Sequence, residues 1–179
     1  MQQSRRAIHV KLTKCIVLSK LASVFDPIGV AAAVSVNAKI VMQELWQLGI
    51  SWDDELPQRV CEKWMTLLEE MTELNTVEFD RSLTPDDANG KPSSVVFCDA
   101  SKKAFGACPY LRWLLNTGTF GVKFVAAKSR LAPLEELSIP HLELQAAVMA
   151  SRSVKSIREE VRLAFESRQY FSDSRVVIA

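Results

Sequence analysis

Nothing in this 179-residue sequence is long and apolar enough to cross a membrane. Its least polar stretch, residues 28–36, is Ala-rich and gives way to Asn37 and Lys39, whereas a span needs ~20 apolar residues. Arg5 and Arg6 have no apolar core behind them, so a secretion signal is not expected. The cysteines Cys15, Cys61, Cys98 and Cys108 form no C-x-x-C pair and have no histidine at ligand spacing, which argues against zinc. Without an export signal, reduced thiols in an intracellular compartment are expected. A formal net charge of +1 supplies no global field to attract a polyanion, so any contact with nucleic acid must come from a local cluster of cations. Internal repeats and low-complexity tracts are also missing.

What is present falls into two compositional parts. The first reads as helical. Residues 18–25 suggest a short helix, stopped at Asp26-Pro27-Ile28-Gly29 because proline cannot continue a helix and biases the residue before it away from helical angles. Val34, Ala38, Val41, Met42, Leu45 and Leu48 share one helical face, with Gly49 as a C-terminal cap. A further helix is expected from Asp53 or Asp54, with Pro57 in its first turn and an apolar stripe of Leu56, Val60, Trp64, Leu67, Leu68, Met71 and Leu74. These two helices should form an antiparallel hairpin, with Trp46, Trp52 and Trp64 in its core.

Turn formers crowd residues 84–90, and beyond them the periodicity changes to that of strands. Strands are expected over 94–98, 105–115 and 122–128, with Asn116-Thr117-Gly118 as a hairpin turn. Pro109 removes one ladder donor, so its strand should be bulged or locally unpaired on one side. A helix follows over 138–165, then a last strand through Gln169-Tyr170-Phe171-Ser172.

Three carboxylates stand at informative places in this pattern: Asp99 at the end of the strand 94–98, Glu143 early in the long helix, and Asp173 at the end of the last strand. Each has an ordinary structural explanation when taken alone, as a turn cap, a partner for the helix macrodipole, or the cap of a short terminal helix. Together, two strand ends and a helix start can bring three carboxylates to one place, the oxygen-rich setting that Mg²⁺ selects and that phosphodiester cleavage uses. Ala147 and Ala150 would let the helix sit close to the sheet and aim Glu143 along it. The order strand-Asp, hairpin, helix-Glu, strand-Asp is that of the ribonuclease H fold. Lys102, Lys103, Lys128 and Arg130, near strand ends, are candidates for phosphate contacts. His141 has no evident orienting partner and is a poor candidate for a general base.

The strings Phe25-Asp26-Pro27-Ile28-Gly29, Gln43-Glu44-Leu45-Trp46 and Ser51-Trp52-Asp53-Asp54 resemble the block that follows the reverse transcriptase in Bel/Pao-type LTR retrotransposon polyproteins. Phe97-Cys98-Asp99-Ala100-Ser101, Ala127-Lys128-Ser129-Arg130, Ile139-Pro140-His141-Leu142-Glu143-Leu144 and Ser172-Asp173-Ser174 are similar to the ribonuclease H segment of the same polyproteins. The resemblance implies an α+β architecture: a helical connection segment over 1–80, a linker over 81–92, and a C-terminally truncated ribonuclease H-like α/β domain over 93–179. It also implies that Asp99, Glu143 and Asp173 are catalytic ligands of Mg²⁺, with Mn²⁺ as an alternative, in a nuclease acting on the RNA of RNA–DNA hybrids. The implied partners are that hybrid and the rest of the Pol polyprotein, including its reverse transcriptase, in the cytoplasm, a particle or the nucleus. With further elements and a last acidic ligand expected beyond Ala179, poor cleavage by the isolated chain is expected. The alternative is a decayed or domesticated remnant serving as a binding module. The name of the family includes the word peptidase, but an aspartic peptidase needs D-[ST]-G, and Asp173-Ser174-Arg175 lacks the glycine.

Overall fold

The computed structural model describes residues 11–78, 80–161 and 163–178; Arg5, Arg6 and Ala179 lie outside them. The chain begins with three helices, α1 (Lys14–Ala22), α2 (Ala32–Gln47) and α3 (Gln58–Glu73). Ala38, Val41, Met42 and Leu45 of α2 meet Val60, Trp64 and Leu67 of α3 and Val17 of α1 in one buried cluster, as the helical stripes require. Gly49 takes a φ of +64° just after α2, the left-handed turn that glycine accepts without steric cost.

Two expectations for this segment are corrected. The third helix starts at Gln58, after Pro57, and neither Asp53 nor Asp54 caps it. The short stretch just before it is held on residues 12–15, because Glu55 bridges to Thr13, Leu56 N–H donates to the Leu12 carbonyl (3.0 Å) and Cys15 N–H donates to that of Trp52 (3.2 Å). Asp54 instead accepts from Ser51 N–H at 3.1 Å, closing a local turn. Of the three tryptophans expected in the core, only Trp64 is buried; Trp46 and Trp52 are 52% and 43% exposed. They meet edge to face at 5.0 Å, and the ammonium of Lys14 stands 4.5 Å from the Trp46 ring while donating to the Ile50 carbonyl. A buried cation without a carboxylate is tolerable when ring faces and a carbonyl replace its water.

The second part is a five-stranded mixed sheet with one long helix. Its elements are β1 (Ala88–Ala100), β2 (Ala104–Leu115), β3 (Phe120–Phe124), β4 (Lys128–Leu131), α4 (Ile139–Val161), β5 (Arg168–Phe171) and a single-turn α5 (Arg175–Ile178). The order is β3-β2-β1-β5, with β4 also on β2; β5 runs parallel to β1, and the other pairs are antiparallel. β1 begins at Ala88, so residues 88–92 are strand rather than linker, drawn in by pairing with Leu114 and Leu115. The remainder of that stretch is tied as well, since Trp113 Nε1–H donates to the Leu83 carbonyl at 2.8 Å.

The strand expected over 122–128 is two strands, both on the same side of β2. The carbonyl of Pro109 accepts from Val125 N–H (3.2 Å) and therefore faces the β3–β4 side. Its missing N–H faces that side too, which places the absent donor at the gap between β3 and β4. Alternation along β1 and β2 buries Val96, Cys98, Phe105 and Ala107 under α4, against Leu142, Ala146, Met149, Ala150 and Val154. The opposite face carries an aromatic row in which Phe171 stacks on Phe97 at 5.2 Å, and Tyr110 stands edge-on between Phe97 and Phe124.

The helical segment docks on β4 through backbone. Ala127 N–H donates to the Ile28 carbonyl (2.8 Å), Ser129 Oγ donates to that of Ala32 (3.2 Å), and Gln43 donates to that of Ala132 (3.2 Å). Glu44 adds a bridge, 2.7 Å from Lys63 of α3 and 3.6 Å from Lys103 in the β1–β2 turn, and its carboxyl is held below the usual range chiefly by the Lys63 hydrogen bond. Asp26 shapes the loop that makes this approach, accepting from both Val30 and Ala31 N–H at 2.8 and 2.9 Å. Gly29 has a φ of +81°, and a Cβ there would lie 1.9 Å from the Ala127 carbonyl oxygen. Gly90 shares the positive φ but has nothing within 4 Å of such a Cβ. Gly90→Ala should cost about 1 kcal/mol in urea unfolding and Gly29→Ala at least ~3 kcal/mol. Equal losses for the two variants would show that the loop is not clamped against β4.

Candidate metal centre and nucleic-acid interface

The end of the sheet gathers the acidic residues. β1 and β5 are parallel neighbours with Phe97 opposite Phe171; Asp99 lies two residues beyond the first and Asp173 two beyond the second. Parallel pairing thus sends both carboxylates off the same end of the sheet. Both are exposed, and both line an open cavity of about 740 Å³ bounded by Cys98, Phe171 and Ser172. One oxygen of Asp99 accepts from Ala100 N–H at 2.6 Å, which holds the carboxylate against the turn.

Cys98 reports this charge. It is the buried residue that precedes Asp99 in β1, and its Sγ–H is directed at the Phe171 carbonyl at 3.7 Å. The thiol is pushed up, first by burial and further by the carboxylates of Asp99 and Asp173, with a hydrogen bond to Ser172 acting in the opposite sense. A neutral thiol beside two carboxylates is a packing residue and a weak metal ligand.

Glu143 lies in the second turn of α4, half-buried, on the flank carrying Ala147 and Ala150. It does not line the cavity of Asp99 and Asp173. Its Oε2 accepts a 2.6 Å hydrogen bond from Ser174 Oγ–H, and Ser174, at the start of α5, is only 3% exposed. Glu143 is thereby tied to the residue next to Asp173. Among the described residues, no three His, Cys, Asp or Glu side chains are grouped so as to hold one ion as they stand.

The cations divide. Lys103 is engaged by Glu44, and Lys102 is exposed in the β1–β2 turn. Lys128 and Arg130 point from the edge strand β4, exposed and without a carboxylate partner among the described residues. Both face a second cavity, on the α4 side of β4. Three residues of these sites escape a reading of the sequence. Ser174 carried a signal, since it adjoins Asp173 in the Asp-Ser string. Lys39 and Arg152, which reach the second cavity from α2 and α4, carried none, because only tertiary packing brings them together.

A mixed sheet of this order, covered by one long helix on one face and carrying acids at the ends of β1 and β5 and the start of α4, is the layout of a ribonuclease H-like domain. The family described as Pao retrotransposon-like RNaseH-like domain matches residues 13–174, and the chain belongs to that family. No curated protein matches it. Two solved structures are similar over 89% of this chain: a foamy viral protease-reverse transcriptase dRH in complex with double-stranded DNA, at 14% identity and a TM-score of 0.40, and a foamy viral protease-reverse transcriptase with dsDNA, at 15% and 0.38. This chain spans 28% and 33% of their lengths. No helix among the described residues is long and apolar enough to cross a membrane.

The Ser174–Glu143 hydrogen bond should be measurable in a double-mutant cycle. Ser174→Ala is expected to destabilise the chain by about 1.5–3 kcal/mol, the range for a bond to a charged acceptor, and by less than ~1 kcal/mol when Glu143 is already Ala. Denaturant unfolding of the four proteins gives the coupling, and additivity would show that the pair is incidental.

Proposed function

We propose that this chain is part of a retroelement Pol polyprotein and carries the metal-binding part of a ribonuclease H that cleaves the RNA strand of RNA–DNA hybrids. The observation that carries this reading is the exit of Asp99 and Asp173 from one end of two parallel strands, with Glu143 one hydrogen bond from Ser174. The donor set is all oxygen, which suits Mg²⁺ or Mn²⁺ rather than zinc, and Mg²⁺ needs only one or two protein carboxylates because it keeps several waters. Asp99, Asp173 and Glu143 would hold the ion. When bound, it would activate water and neutralise charge on the phosphate. In this reading Asp99 and Asp173 present the charge at the cavity mouth, and Glu143 would join them from α4 only on release from Ser174. Lys128 lies on the wall of the same cavity, where it can meet a phosphate.

The isolated chain should cleave slowly, because Glu143 as positioned is satisfied by Ser174 rather than turned toward the other two acids. A second reading is favoured by that same observation: a non-catalytic remnant that binds nucleic acid. Two measurements separate them. In 10 mM Mg²⁺ the chain should gain about 1.4 kcal/mol of stability, as expected for a site with a Kd near ~1 mM, and Asp99→Asn with Asp173→Asn should abolish the gain. Slow Mg²⁺-dependent hybrid cleavage, lost in Asp99→Asn, would establish the enzyme. Binding of hybrid with neither effect would establish the remnant.

A further inference from the structure

The cavity on the α4 side of β4 has about 850 Å³ and a consistent sign of charge. Its charged side chains come from three elements far apart in sequence: Lys39 from α2, Lys128 and Arg130 from β4, and Arg152 from α4. All of these side chains are exposed, and among the described residues none is paired with a carboxylate. The one acid in the lining, Asp26, already has both oxygens occupied by Val30 and Ala31 N–H. The chain as a whole is nearly neutral, at a formal +1, so this concentration of unneutralised cations is local. The apolar part of the lining comes from Leu144, Val148 and Met149 of α4 and Leu18 and Leu21 of α1.

This cavity also adjoins the acidic one. Ala32, Phe105, Ala127, Lys128 and Ser129 line both, so the two meet over β4. A chain of phosphates crossing Lys128 from the Asp99 end would reach the cavity that Lys39 and Arg152 also line.

We propose that this cleft is a binding track for the phosphodiester backbone of one strand of a nucleic-acid duplex, built jointly by the helical segment and the ribonuclease H-like sheet, with Lys39 and Arg152 as cations contributed by the two helices that line it. The proposal rests on the reading of the chain as one that handles nucleic acid. It goes beyond that reading by giving the α1–α2 segment a share of the substrate surface. Sequence-independent phosphate binding needs cations spaced along an open groove and free of internal partners, and this cleft supplies both.

The test uses the full chain in an Asp99→Asn background, so that the probe survives, and fluorescence anisotropy with a labelled RNA–DNA hybrid. Lys39→Glu with Arg152→Glu should weaken binding at least about tenfold and reduce the slope of log K against log salt by about 2. Lys39→Arg with Arg152→Lys should retain both. Lys91→Glu with Arg168→Glu makes the same change in net charge at the opposite end of the sheet and should leave binding nearly unchanged. Circular dichroism establishes that each variant is folded. Unchanged affinity and slope in the Lys39/Arg152 variant, an equal loss in the Lys91/Arg168 control, or no hybrid binding at all would overturn the proposal. Cleavage by the Asp99 protein is measured separately. Cleavage that persists with binding indifferent to Lys39 and Arg152 removes the cleft alone, whereas cleft-dependent binding without cleavage removes the nuclease alone.

Discussion

The close seating of α4 on β1 and β2 is the contact on which the rest of this structure depends. Ala146 and Ala150 are essentially fully buried, and Ala107 faces them from β2. Small side chains at the contact let a helix approach a sheet closely, and the larger Leu142, Val154 and Val96 then fill the space on either side. From that seat follows the position of Glu143, which rides on the same helix toward the carboxyl ends of β1 and β5. The other flank of α4 follows too, and it forms one wall of the basic cleft.

The second constraint is the backbone contact between the loop at Gly29 and Ala127. A loop carbonyl takes the N–H that leaves the ladder between β3 and β4, so the interruption at Pro109 is also where the helical segment attaches. The helical segment and the sheet are therefore one continuous body at β4. Glu44, Gln43 and Ser129 add hydrogen bonds and ion pairs around that backbone contact. This is why α2 can contribute Lys39 to a surface whose other cations belong to the sheet and α4.

Charge is distributed in a way that matches the two sites. At the sheet end, Asp99 and Asp173 are exposed, and burial together with their charge pushes the Cys98 thiol up. Over β4 and beyond, cations face open space without partners among the described residues. The acidic and the basic surface adjoin, since Lys128 and Ser129 line both cavities.

Much of this was legible in the chain itself. Period-3.6 stripes specified α2, α3 and α4, alternation specified the buried face of β1 and β2, and the Asn116-Thr117-Gly118 turn specified their hairpin partner, because each rests on local geometry that repeats along the sequence. The three carboxylates were identifiable from their places at element ends. Other features needed the tertiary structure. Trp46 and Trp52 cage Lys14 instead of joining the core, α3 waits until Gln58 because residues 12–15 hold the segment before it through Leu12 and Cys15, and Glu143 is bound by Ser174. Lys39 and Arg152 are 113 positions apart in sequence and share a cleft only because α2 docks on β4 beside α4. The sequence by itself determined which faces are apolar and which acids stand at element ends, since those follow from neighbours within a few residues. Only the packing of distant elements decided where the free charges meet, since that depends on contacts no local pattern encodes.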